Sequence, residues 1–96
     1  MITIKESYDD DKCWNVLQFF EDSEEVGKMN ITVFNNEITL YSIESYKKGY
    51  GSKMVSYLKS IKGVKYISGD IGNDTHAFWM KLGAIVSDDE FKITIE

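Results

Sequence analysis

Ninety-six residues are enough for one small domain with a single modest core, and 43% hydrophobic content with 14% aromatics excludes a disordered chain. A net charge of −5 with no strongly basic segment excludes the electrostatic footprint of a protein that grips a nucleic-acid backbone, and it favours a cationic partner. No apolar run is long enough to span a membrane, no charged-then-apolar leader opens the chain, and the single Cys13 leaves no internal disulfide or cysteine metal cluster; a cytoplasmic, reducing compartment is the expectation.

Met1 to Ser7 alternates, with Ile2 and Ile4 on one face and Thr3 and Lys5 on the other, until Asp9-Asp10-Asp11 breaks the pattern. Cys13 to Phe20 reads as a second strand, with a short helix as the alternative, closed by the acidic run Glu21 to Glu25; Cys13 is then half-buried strand filler. Lys28 to Phe34 and Glu37 to Ile43 are strand-like runs joined by Asn35-Asn36, a pair that tolerates the positive φ angles of a two-residue hairpin. A helical period then places Met54, Val55, Leu58 and Ile61 on one face and stops at Lys62-Gly63. Val64 to Gly69 is a short apolar strand, which after a helical crossover lies parallel to the strand ending at Ile43. A second helix spans Asn73 to Gly83, and Ile85-Val86 with Phe91 to Ile95 form a closing hairpin around Ser87 to Glu90. Trp14, Phe78 and Trp79 are read as core. No linker or repeat appears, so residues 1–96 form one domain.

The chemistry gathers where the strand ending at Ile43-Glu44 meets Tyr46-Lys47-Lys48-Gly49-Tyr50-Gly51-Ser52-Lys53 and a helix begins. The first amides of a helix have no partner within it, and its positive dipole end favours an anion. Gly49 and Gly51 let backbone approach a bulky phosphate, Ser52 adds a hydroxyl donor, and Lys47, Lys48 and Lys53 add positive charge. All eleven cationic residues are lysines, so a phosphate is held by amides and point charges rather than by guanidinium forks. The nucleotide-triphosphate loop needs a longer glycine spacing, and the dinucleotide fingerprint needs a third glycine where Met54 stands.

Gly49-Tyr50-Gly51 after a strand and before Ser52 to Leu58 resembles the acetyl-coenzyme A loop of the GNAT N-acetyltransferase superfamily, and Asn73 to Ala84, closing in Lys81-Leu82-Gly83-Ala84, resembles that family's second helix and its closing Lys-Leu-Gly-Phe. The resemblance runs from about Ile31 to the C-terminus. It implies an α/β (α+β) GNAT-like fold, with a mixed sheet whose central strands splay around the phosphate loop. It also implies a cofactor, acetyl-CoA, whose pantetheine arm pairs with the backbone of Tyr41, Ser42, Ile43 and Glu44 and whose pyrophosphate rests on the amides of Lys48, Gly49, Tyr50, Gly51, Ser52 and Lys53. Asn73 is placed to contact the cofactor arm.

Three departures qualify the likeness. Family members usually carry helices between the first two strands, where this chain has only a turn; Tyr46 replaces an Arg or Gln; and Trp79 replaces a tyrosine that many members use as an acid. Glu44 and Asp70 are the candidate general bases, since an ammonium acceptor must lose a proton before it attacks. The expected function is a small N-acetyltransferase acting by direct attack of an amine, on a protein lysine or a small basic molecule. The alternative is a catalytically degenerate GNAT-fold protein-binding module, with or without bound coenzyme A. Strands at both termini also make a homodimer conceivable.

Overall fold

A computed structural model describes residues 1–71 and 76–95, with His76 described by its backbone alone. Seven strands form one sheet: β1 (Ile2–Asp9), β2 (Trp14–Glu21), β3 (Glu24–Phe34), β4 (Glu37–Ser45), β5 (Tyr66–Asp70), β6 (Ile85–Ser87) and β7 (Glu90–Thr94). Helix α1 (Tyr50–Lys59) lies between β4 and β5, and α2 (His76–Lys81) between β5 and β6. The spatial order is β1-β2-β3-β4-β5-β7-β6, antiparallel throughout except for the β4–β5 pair, which the α1 crossover makes parallel.

Local chemistry explains most of the turns. Asn35 and Asn36 at φ 49° and 69° form the expected two-residue hairpin, and Asp22 and Ser23 at φ 51° and 73° form a second one. The Glu21 to Glu25 run is therefore a tight turn with β3 starting inside it at Glu24, earlier than the expected Lys28. Helix α1 ends at Lys59, where the Ser60 amide folds back on the Ser56 and Tyr57 carbonyls; Ile61 follows the helix rather than belonging to it. The last helix closes on Gly83 at φ 88°, whose amide bonds the Met80 carbonyl while that of Ala84 reaches Trp79, the bonding of a Schellman cap.

Cross-strand partners share a face, so the register sorts the side chains. One face carries Leu17, Phe19, Met29, Ile31, Ile38, Leu40, Ile67, Phe91 and Ile93, all buried in one cluster with Met54, Val55 and Leu58 of α1 and Trp79 of α2. The two helices lie side by side on it, tied where Lys59 Nζ donates to the Leu82 carbonyl at 3.2 Å. A Cβ at Gly27 would fall on the Met54 sulfur and 2.8 Å from the Glu44 carbonyl oxygen, so α1 approaches β3 through this glycine. Gly27→Ala should lower stability by about 1–3 kcal/mol, read as a reduced urea midpoint at unchanged slope.

No described helix lies against the opposite face, which carries Trp14, Val16, Gln18 and Phe20 of β2, Lys28, Asn30 and Thr32 of β3, and Glu37 and Thr39 of β4. Two expectations are corrected here. Trp14 is not core: its ring lies 5.2 Å from that of Tyr41 on this open face. Cys13 is not strand filler but an exposed turn residue at φ 59°, because the chain reverses over Asp10 to Cys13 and the Cys13 amide donates to the Asp9 carbonyl at 2.8 Å.

Candidate functional site

The site begins with a defect in β4. Asn30 pairs with Ser42 and Ile31 with Leu40, so Tyr41 is an extra residue that bends the strand. On the other side, pairing with β5 stops at Leu40–Gly69, while β4 continues to Ser45. The two parallel strands therefore separate beyond this rung. A Cβ at Gly69 would collide with the Leu40 carbonyl and lie 2.9 Å from Phe91 Cε1; glycine keeps the last rung intact.

Between the separated strands lies a cavity of about 260 Å³, lined by Leu40, Tyr41, Ser42, Ile43, Asp70, Phe78 and Trp79. Among the described residues the backbone of Tyr41, Ser42 and Ile43 has no partner strand on this side, which leaves it able to pair with an extended ligand. Ser42 and Tyr41 are steadied from the open face, Ser42 Oγ accepting from Asn30 Nδ2 at 2.6 Å and the Tyr41 hydroxyl lying 3.3 Å from Thr32 Oγ1. Trp79 forms the floor: it is buried, stacked on Phe91 at 3.7 Å and 9°, and met edge-on by Phe78 at 4.9 Å.

The strand then leads into α1 through Gly49 at φ 91°, a left-handed conformation that glycine adopts without strain. Among the described residues no side chain caps this helix, and no acid occupies its first turn; the Tyr50 amide donates to the Lys47 carbonyl at 3.4 Å, and the amides of Gly51, Ser52 and Lys53, with the helix dipole, are left for an anion. Gly51 is buried because the ring of Phe78 rests on it; a Cβ there would meet Phe78 Cε1 at 3.2 Å. Ser52 and Lys53 are exposed, as is Lys48, with Lys53 Nζ lying 4.6 Å from the centre of the Tyr50 ring. Lys47 is engaged elsewhere, in an ion pair with Glu24 whose hydrogen bond and charge raise its pKa above the ordinary 10.5.

The two candidate bases separate. Asp70 lines the cavity; Glu44 is exposed, lies outside its lining, and accepts a hydrogen bond from the Tyr46 hydroxyl at 3.0 Å. Partial burial first, and this bond second, raise the Tyr46 phenol above its usual 10.0. Both raised groups hold their protons more tightly when folded. Their contributions are complete below pH 10.0 and 10.5 and fade as pH rises through the folded-state values, so neither produces pH dependence near neutrality. A Glu44→Gln variant should bring the phenolate absorbance of Tyr46 in at lower pH than in the wild type.

Asn73 lies outside the described residues. The sequence missed three features of the site: the Tyr41 bulge, the cavity-lining role of Phe78 and Trp79, and Glu90, which the register sets directly opposite Asp70. Only the aromatic pair left a signal, in its spacing before Gly83.

A mixed sheet that opens between two parallel strands, with a glycine turn and an uncapped helix following the longer one, is the fold of the GNAT N-acetyltransferases. Solved structures agree. YhhK from E. coli, bound to coenzyme A, superposes with a TM-score of 0.78 at 13% identity over 98% of each chain. The Campylobacter jejuni N-acetyltransferase PseH, in complex with acetyl coenzyme A, gives 0.72 at 8% identity over the whole of both chains. A mutant of the toxin AtaT bound to the C-terminus of the antitoxin AtaR gives 0.71 at 12% identity, covering 98% of this chain and 92% of that one. No family model and no curated protein matches the sequence. Among the described residues no helix is long and apolar enough to cross a membrane.

Proposed function

We propose that this chain is an acetyl-CoA-dependent N-acetyltransferase that acts on a primary amine by direct attack. The observation that carries the reading is the opening of β4 from β5 at Leu40–Gly69, which places unpaired strand backbone, the cavity and Asp70 beside one another, with the uncapped start of α1 following at the end of β4.

The residues present fit the cofactor. Tyr41, Ser42 and Ile43 offer backbone to an extended amide-bearing arm, and the first-turn amides of α1 with Gly49, Gly51, Ser52, Lys48 and Lys53 offer donors and charge to a pyrophosphate. Bound there, acetyl-CoA would supply an activated acetyl group, whose bond to sulfur gives way to a bond to the acceptor nitrogen as the thiolate leaves. Asp70, on the open face at the mouth of the cavity, takes the proton from the acceptor ammonium before attack, directly or through one water. Glu44 keeps the Tyr46 phenol hydrogen-bonded at the end of β4, and its place outside the cavity lining makes it the secondary candidate.

Trp79 is the observation that favours the alternative of a non-catalytic binding module, because an indole in the cavity floor donates a hydrogen bond but cannot protonate a leaving thiolate. Release of free thiol from acetyl-CoA, followed with a panel of amines, separates the two readings. Amine-dependent thiol release supports the enzyme; stoichiometric coenzyme A binding without turnover on any amine supports the module.

A further inference from the structure

We infer that the acceptor is a linear aliphatic di- or polyamine lying along the open face of the sheet, with one nitrogen at Asp70 and a second, still protonated, held by Glu90 and Glu37. The inference rests on the acetyltransferase reading above and names its substrate class.

Two further hollows continue from the cavity on that face. One, of about 180 Å³, is lined by Thr39, Ser68, Gly69, Asp70, Glu90 and Phe91, and so shares Asp70 with the cavity between the strands. The next, of about 310 Å³, adds Glu37, Ile85, Ser87 and Lys92 and shares Ser68, Glu90 and Phe91 with its neighbour. Together they make one trough crossing β5 and β7 toward the β6 edge. Its length suits a flexible chain: the Glu37 carboxylate accepts from Ser68 Oγ, and Ser68 stands two residues before Asp70, about 7 Å at about 3.3 Å per strand residue.

The charges along the trough are Asp70, Glu90 and Glu37 against Lys92, and the Lys92 ammonium lies over the Tyr66 ring at 4.5 Å. Ser68 Oγ donates to Glu37 at 2.5 Å and steadies that carboxylate. Asp70 and Glu90 are direct cross-strand partners, and like charges so placed oppose folding. Among the described residues neither has an ion pair. A protonated nitrogen held at Glu90 relieves that repulsion, and the same charge complements Glu37, which lines the outer hollow with Glu90. A monoamine leaves the outer trough without a partner.

The test compares 1,4-diaminobutane and spermidine with n-butylamine and a lysine-containing peptide as acceptors, in wild type and Glu90→Gln, by thiol release. Spermidine binding to the chain alone is followed in parallel by calorimetry at two salt concentrations. Expected are a kcat/KM at least about tenfold higher for the diamine and triamine than for the monoamine, and salt-sensitive spermidine binding to the free chain. Glu90→Gln should remove most of that preference through KM, with kcat within about twofold and urea stability equal to or above wild type; a merely structural role would instead lower stability and leave KM alone. Equal use of monoamine and diamine, preference for the peptide, or an unchanged KM in Glu90→Gln overturns the inference while leaving the acetyltransferase intact. Absence of turnover on every amine together with absence of acetyl-CoA binding overturns the acetyltransferase reading itself, and absence of spermidine binding then overturns this one separately.

Discussion

Ser52→Glu should fold at least as well as the wild type and lose about 100-fold in affinity for acetyl-CoA. Ser52 is exposed in the first turn of α1, where no acid stands and no side chain caps the helix. A glutamate there meets the positive end of the helix dipole and should stabilise α1 by about 0.3–1 kcal/mol. The same carboxylate occupies the amides proposed for the pyrophosphate. Two unit charges about 4 Å apart repel by about 4 kcal/mol at an effective dielectric of about 20, and salt screening reduces this toward the expected loss. Thermal melting and calorimetric titration of one preparation check both halves. Stability and affinity move in opposite directions, which a folding defect cannot imitate. Gly51→Glu would be a poorer probe, because its Cβ already presses on Phe78.

Asp70→Asn should lower kcat by about 10²–10⁴-fold at neutral pH while leaving acetyl-CoA affinity within about twofold. Asparagine keeps the shape and loses the proton acceptor. Its deficit should shrink as pH rises toward the pKa of the acceptor amine, since a growing fraction of acceptor then arrives already neutral; pH profiles of kcat/KM for both proteins show whether the curves converge. Removing Asp70 also relieves its opposition to Glu90 across β5 and β7, so urea stability should not fall. A parallel loss of activity at every pH, or a loss of acetyl-CoA binding, would move Asp70 out of the proton-transfer role.

Much of the architecture was legible because local chemistry specified it. Asn35-Asn36 admits the positive φ its hairpin needs, Gly49 admits the left-handed step into α1, and the spacing of Met54, Val55 and Leu58 marks the buried helix face. Features set by pairing rather than by composition were hidden. The Tyr41 bulge leaves no trace in residue type, and Glu90 becomes a neighbour of Asp70 only through the β5–β7 register. Trp14 looked like core because aromatic residues in strands usually are, yet its face of the sheet has no described helix against it, and it rests on Tyr41 instead. Glu44 and Asp70 both read as candidate bases, Glu44 first because its strand end lies beside the implied thioester, and the separation of β4 from β5 reverses that order by putting only Asp70 against the cavity.

The turn that replaces any helix between β1 and β2 has a physical consequence. No described helix covers the face where Asp70, Glu90 and Glu37 lie, so the proposed amine acceptor would reach Asp70 without passing beneath a helix. With a net charge of −5 on the whole chain, long-range attraction and the local trough would act in the same direction on the proposed cationic acceptor.

Titration of the wild-type chain with acetyl-CoA, followed by amide chemical shifts as well as heat, tests the central claim most directly. Saturable one-to-one binding that moves the amides of Tyr41 to Ile43 and of Gly49 to Lys53, and weakens with salt, is the predicted result. A folded chain that gives neither heat nor shifts at those amides would contradict it, and the opening between β4 and β5 would then be a feature of the scaffold alone.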